Sequence, residues 1–204
     1  SPNGAAFLFP FVAWQEELRN EGYSISVVNS IHECRDANAI LVDSKFHKNM
    51  WLGHVEEILS DFSVLKESSD SLIYVDTTDS TGSLQAEVLP LVDAYWKSQL
   101  LRNKKQYMRR MYGNRLYTDF YHHDMGITDR MPEWSSPVVD ETNLDKLKLS
   151  WNSGLADYSL LGPMRMHAYR LLPFRALIRF PENDFIRHSA TSRNTVSCRF
   201  GSNY

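Results

Sequence analysis

Asp76-Thr-Thr-Asp-Ser-Thr81 places two carboxylates and four hydroxyls in six consecutive positions, directly after the apolar run Leu72-Ile-Tyr-Val75 and just before Gly82. A carboxylate within ~3 Å of a substrate hydroxyl can take its proton as that oxygen attacks, typically contributing ~10²–10⁴ in rate. Asp76 and Asp79 are therefore candidates for a general base, with Thr77, Thr78 and Ser80 as contacts for a polar substrate. The same residue types also suit a plain structural task, because Asp, Ser and Thr are favoured as N-caps immediately before a helix. A second loop of similar make-up, Asp43-Ser-Lys45, follows the apolar run Ala39-Ile-Leu-Val42. Asp43, Ser44 and Lys45 are candidate substrate contacts, and Asp43 suits capping as well.

Continuous apolar runs of this length read as buried parallel strands. Between them, Phe46, Met50, Trp51, Val55, Ile58, Leu59, Phe62 and Leu65 recur at the spacing of one helical face. Strand, helix and strand make a βαβ unit with a right-handed crossover. Parallel strands deliver their C-terminal loops to one edge, so Asp43 and Asp76 are expected to line one cleft, with Leu41 and Ile73 on central buried strands. Upstream, the segment from Pro10 to Arg19 has the spacing of an amphipathic helix ended by Gly22, and Tyr23 to Asn29 alternates like a strand. Downstream, Leu89 to Ser98 supplies a fourth strand. Leu100 to Tyr112 reads as a helix with five Lys or Arg residues, either a solvated face or an anion-attracting cover for the sheet edge. Thr128 to Thr142 reads as a linker. Lys146 to Trp151 is extended, and Leu155 to Leu172 is helical but interrupted at Gly162-Pro163. The expected fold class is α/β, a Rossmann-like parallel sheet flanked by helices.

Composition narrows the function. With 22 basic and 25 acidic side chains among 204 residues, the chain lacks the cationic excess of a dedicated nucleic-acid binder. Its two cysteines, Cys34 and Cys198, are far apart and fit reduced thiols better than a disulfide framework. No stretch approaches the ~20 apolar residues of a membrane span, and no signal peptide opens the chain, so a soluble, cytoplasmic protein is expected. His122-His123-Asp124 carries metal-ligand chemistry, but adjacent residues point in different directions and are poorly placed for one ion. There is no CxxC, HExxH, GxSxG or GxxxxGK motif. Neither a metal nor a cofactor is expected. Among the aromatics, Trp151 stands out, because Ser150-Trp-Asn-Ser-Gly154 flanks it with small polar residues suited to a sugar ring.

Five segments together resemble bacterial glycosyltransferases of the GT-B type from polysaccharide biosynthesis. They are Pro10-Phe-Val-Ala-Trp-Gln-Glu-Glu-Leu18, Tyr74-Val-Asp-Thr-Thr-Asp-Ser80, Arg115-Leu-Tyr-Thr-Asp-Phe-Tyr-His122, Leu149-Ser-Trp-Asn-Ser-Gly-Leu155 and Val196-Ser-Cys-Arg-Phe-Gly201. The resemblance implies two Rossmann-like domains across a cleft, of which this chain is the N-terminal portion. Residues 1–127 would be the acceptor-side domain, 128–194 a linker and interdomain crossing, and 195–204 the start of a second domain. It implies a nucleotide-sugar donor and a glycan acceptor as partners, metal-free chemistry, and Asp76 or Asp79 as the base. Most donor contacts would come from a missing C-terminal domain. Arg199, Gly201 and Ser202 would meet the donor diphosphate, since a glycine turn after a strand exposes N–H groups to an anion. The alternative is a non-catalytic α/β module that senses a ligand or binds a protein, with Asp43 and Asp76 as structural or signalling carboxylates. An oxidoreductase is disfavoured by the lack of a GxGxxG turn.

Overall fold

The computed structural model describes residues 7–11, 14–34, 36–78, 80–113, 115–128 and 137–151. The two apolar runs become neighbouring parallel strands, β1 (Ala37–Asp43) and β2 (Ser69–Asp76), paired from Ala37 with Ser69 to Asp43 with Val75. β3 (Ala94–Lys97) and β4 (Leu147–Leu149) continue the sheet in parallel, in the order β1-β2-β3-β4. The architecture is α/β, with an all-parallel Rossmann-like sheet and flanking helices. The sheet draws its fourth strand from residues beyond 127, the expected end of the first domain.

Among the described residues, helices α1 (Gln15–Asn20), α2 (Val55–Glu67) and α3 (Leu116–Met125) accompany the strands. Each connection between successive strands sends residues, Phe62, Val88 and Tyr107 among them, into one core cluster with the sheet. There α2 presents Ile58, Phe62 and Leu65 to a row that crosses all four strands, Val42, Tyr74, Tyr95 and Leu147. Full burial of side chains like these is worth roughly 1.5–3 kcal/mol each. Glu56 and Glu57 in the first turn of α2 and Lys66 in its last complement the helix dipole. The opposite face is covered near its C-terminal end by an aromatic cluster. Trp151 stacks on Phe7 at 4.8 Å and meets Trp96 edge-on at 5.7 Å, and its indole N–H donates to the Phe7 carbonyl at 3.0 Å.

Several expected elements take other forms. Leu41 is not on a central buried strand. β1 is an edge of the described sheet, its core residues are Ile40 and Val42, and Leu41 on the alternate face is 38 % exposed. Ile73 shares that face and is half-buried. Helix does not begin near Phe46, because residues 44–53 form successive turns ending at Gly53, whose φ of +107° is outside the range of a helix. Tyr23 to Val28 is irregular; alternation alone supplies no partner strand, and Tyr23 and Val27 are exposed. The basic stretch after β3 holds only a 3₁₀ helix, Lys104–Met108, capped by Asn103 and anchored by buried Tyr107. Tyr107 accepts the Leu101 N–H and donates to the Thr81 carbonyl.

Candidate functional site

Both carboxylate loops emerge at the C-terminal edge of the sheet and are tied directly together. The Ser44 N–H continues the ladder to the Val75 carbonyl at 2.9 Å. The Thr77 N–H donates to Ser44 Oγ, and the Thr77 hydroxyl donates to Asp43 Oδ1, each at 3.1 Å. With its proton so committed, Thr77 Oγ1 receives the Ser44 hydroxyl, also at 3.1 Å. The result is a directed chain, Ser44 O–H to Thr77 O–H to the Asp43 carboxylate. The Lys45 N–H gives Asp43 Oδ1 a second donor at 3.1 Å. Ser44 is buried, while Asp43, Lys45 and Thr77 are half-buried. Asp43 Oδ2 has no hydrogen bond among the described residues, so one carboxylate oxygen at this edge keeps its acceptor capacity.

Asp76, one strand away, is the opposite case. It is 1 % exposed and accepts four hydrogen bonds. Thr78 gives Oδ1 its N–H at 2.8 Å and its hydroxyl at 2.5 Å, while Oδ2 takes the Tyr95 hydroxyl at 2.7 Å and the Lys97 ammonium at 2.8 Å. Lys97, fully buried, spends its other protons on the carbonyl and hydroxyl oxygens of Thr78 at 3.2 and 3.0 Å. Tyr95 accepts the Gln85 N–H at 2.9 Å, and Tyr74 donates to the Gln85 side chain. Every lone-pair site of the Asp76 carboxylate is thus occupied, so it offers no free acceptor to a substrate hydroxyl. Thr78 is absorbed into the same network. Burial, foremost, and the nearby Asp76 charge push the phenols of Tyr74 and Tyr95 well above the usual tyrosine range.

Lys97 and Tyr95 were the residues missing from the sequence reading of this site. A signal existed: in Ala94-Tyr-Trp-Lys97, Lys97 is in phase with Tyr95 and hence with the core face. A lysine at such a position requires a carboxylate partner. His47, in the turns after β1, is a second unanticipated buried group, with Nε2 3.0 Å from Asp61 and Nδ1 enclosed without a hydrogen-bond partner among the described residues.

The other candidates lie as follows. Asp79, Arg199, Gly201 and Ser202 are outside the described residues. Ser80 is half-buried, with a left-handed φ of +80° that costs a non-glycine residue of order 1 kcal/mol. Trp151 follows β4 at the same end of the sheet, but one face of its indole is already taken by Phe7. Its observed contacts fix residues 7–11 to the sheet. His122 stacks on Tyr112 at 3.9 Å and contacts the Ile127 carbonyl, while His123 faces Asp119 at 3.5 Å. No group of three or more potential metal ligands occurs among the described residues.

Two shallow recesses lie elsewhere. One, of about 460 Å³, is lined by Arg109, Leu116, Asp119, Phe120, His123 and Asp124. The other, of about 360 Å³, lies at the N-terminal end of β1 and β2, around Asn38 and Asp70. Neither recess coincides with the strand-end chemistry. The cluster at the sheet edge has the more specific arrangement of polar groups, since its hydroxyl chain ends on a carboxylate whose other oxygen has capacity to spare.

No family model, curated protein or solved structure matches the chain.

Proposed function

We propose that this chain supplies the acceptor-side half of a bacterial GT-B-like glycosyltransferase, which moves a sugar from a nucleotide-sugar donor to a glycan acceptor in polysaccharide biosynthesis. The observation that supports it is the convergence of the β1 and β2 loops into one carboxylate and hydroxyl cluster. In this mechanism an acceptor hydroxyl oxygen bonds to the anomeric carbon as the bond from that carbon to the diphosphate oxygen breaks. The diphosphate leaves with the electron pair, and the acceptor proton passes to Asp43 Oδ2. Asp43 is preferred over Asp76 as the base because its second oxygen is not committed. Lys45 and Thr77 flank the acceptor, and Asp76 holds the loop that carries Thr77. Asp79 remains a second candidate base and Ser80 an acceptor contact, and Arg199, Gly201 and Ser202 meet the donor diphosphate together with a C-terminal domain. A cytoplasmic location accompanies this function.

The test is nucleoside-diphosphate release by the intact protein from a panel of nucleotide sugars, with and without glycan acceptors. Asp43→Asn keeps the shape of the side chain but accepts no proton, so turnover is expected to fall by ~10²–10⁴ with an unchanged melting temperature. Undiminished turnover in that variant removes Asp43 from the chemistry. A wild-type protein that neither turns over any donor nor binds any nucleoside diphosphate in calorimetric titration overturns the glycosyltransferase assignment. The completeness of the Asp76 network favours one other function, a non-catalytic ligand-sensing or protein-interaction module, and that last result would select it.

A further inference from the structure

Helix α3 is built inside out. Its one buried side chain is a carboxylate, Asp119, whereas Tyr117, Phe120, Tyr121 and Met125 are each 45–61 % exposed. At 3.6 residues per turn these four fall on one continuous arc with Asp124. Ile127, just beyond the helix and 53 % exposed, follows Gly126, whose φ of +66° ends α3. Helices on globular domains normally turn such a stripe toward the core, and a contiguous exposed apolar patch marks a surface where something else binds. The orientation is locked from the inner side. Asp119 accepts the Tyr112 N–H at 2.9 Å and the Arg109 guanidinium at 2.7 Å, bonds that rolling the helix over would break.

Charge selects the occupant. Segment 100–128 carries Arg102, Lys104, Lys105, Arg109, Arg110 and Arg115 against only Asp119 and Asp124, in a chain whose acids outnumber its bases, 25 to 22. Arg115 lies over the Tyr117 ring at 5.7 Å, and Arg109 lines the recess beside Phe120, so cationic groups border the apolar stripe itself. A second copy of the same face would bring like charges together. The stripe is the convex side of a helix, and the shallow recess at its border is lined mostly by polar residues, Arg109, Asp119, His123 and Asp124, which does not suit the apolar face of a peptide. An apolar, aromatic stripe edged by arginines matches one partner in both respects, a bilayer with anionic headgroups.

We infer that α3 docks on an anionic lipid surface, with Tyr117, Phe120, Tyr121 and Met125 at the headgroup boundary and Arg110 and Arg115 against lipid phosphates. No helix among the described residues is long and apolar enough to cross a membrane, and none is required for this contact. The experiment is flotation of the chain with vesicles of phosphatidylcholine alone and of phosphatidylcholine mixed with phosphatidylglycerol. The chain should float only with the anionic vesicles and be released by high salt. Each basic residue near an anionic surface is worth about 1 kcal/mol, so Arg110→Glu with Arg115→Glu should lower partitioning by more than about tenfold. Phe120→Ser with Tyr121→Ser should abolish it while circular dichroism stays unchanged. Equal flotation with both vesicle types, no flotation, or retention by both double variants overturns the inference. So does a dimer that Phe120→Ser with Tyr121→Ser dissociates in the absence of vesicle binding, which would assign the stripe to a second copy.

Discussion

Asp43 and Asp76 end neighbouring parallel strands, at the same edge of one sheet, and have opposite chemical standing. Asp76 is enclosed by Thr78, Tyr95 and Lys97 and has all its acceptor sites filled. Asp43 is half-buried, takes donors on one oxygen and leaves the other available. Strand position explains the difference. β2 is flanked on both sides, so the residue at its end meets side chains from β3, and Lys97 lies directly across from Asp76 in the ladder. β1 is an edge strand of the described sheet with a neighbour on one side only, and that neighbour contributes a hydroxyl in place of a cation. An identical residue type at the end of an identical element is a structural anchor in one place and a carboxylate with an uncommitted oxygen in the other. What decides between them is how many neighbours the strand has.

The largest expected effect comes from breaking the anchor. Lys97→Met removes the cation and leaves the Asp76 charge buried, which should cost about 3–5 kcal/mol of unfolding free energy. Pairing it with Asp76→Leu should recover much of that loss, because a buried ion pair often contributes little beyond an apolar pair of similar volume. The corresponding change at the neighbouring strand, Asp43→Asn, should leave denaturant unfolding nearly untouched and act on turnover. If Asp43→Asn proves as destabilising as Lys97→Met, the contrast between the two carboxylates collapses.

Alkaline pH probes the same contrast without mutation. Tyr74 and Tyr95 are held well above the normal tyrosine range, and burial, only partly offset by the bond from the Leu101 N–H, pushes Tyr107 up to about 12. A raised folded-state value means the folded chain keeps its proton after the unfolded chain has lost it. The associated stability is complete below the unfolded value of about 10 and is lost as pH rises through the folded values. Melting temperature should therefore hold up to about pH 10 and fall beyond it, with tyrosinate absorbance from these residues appearing together with unfolding. Phenolate absorbance that grows at ordinary pH values while the fold is intact would show the Asp76 network to be open to solvent. The Asp43 charge also raises Tyr74, behind burial and the Asp76 charge, so Asp43→Asn should lower the alkaline limit only slightly.

Legibility in the sequence followed the range of the interactions. β1 and β2 were legible because a buried parallel strand is written locally, as Ile40-Leu-Val42 and Leu72-Ile-Tyr-Val75. Their shared edge followed from parallel topology. The bond between their loops was not written anywhere, because Ser44 and Thr77 are 33 residues apart and ordinary in isolation. Lys97 was overlooked for the same reason, since its meaning depends on Asp76, 21 positions earlier. Helix α3 defied periodicity because its stripe points outward and its carboxylate inward, the reverse of the pattern that identifies a surface helix. Tyr23 to Asn29 is the opposite case, having the alternation of a strand with no neighbour to pair with among the described residues.

Thr77 offers the smallest and most discriminating test, because it belongs to both loops. Thr77→Val keeps the β-branched shape and the N–H bond to Ser44 Oγ, but removes the hydroxyl that links Ser44 to Asp43. Loss of a single such hydrogen bond should lower stability by about 1 kcal/mol, well below the effect at Lys97. If the hydroxyl serves only to tie the loops together, denaturant unfolding records that loss and turnover is unaffected. If it also aims Asp43 Oδ2 at the acceptor, kcat falls by about tenfold while donor KM stays constant, since the misplaced base is felt in the transition state and not in donor binding. A change confined to KM would contradict the positioning role. It would place Thr77 among the groups that merely hold substrate, and leave Asp43 oriented by the Lys45 N–H alone.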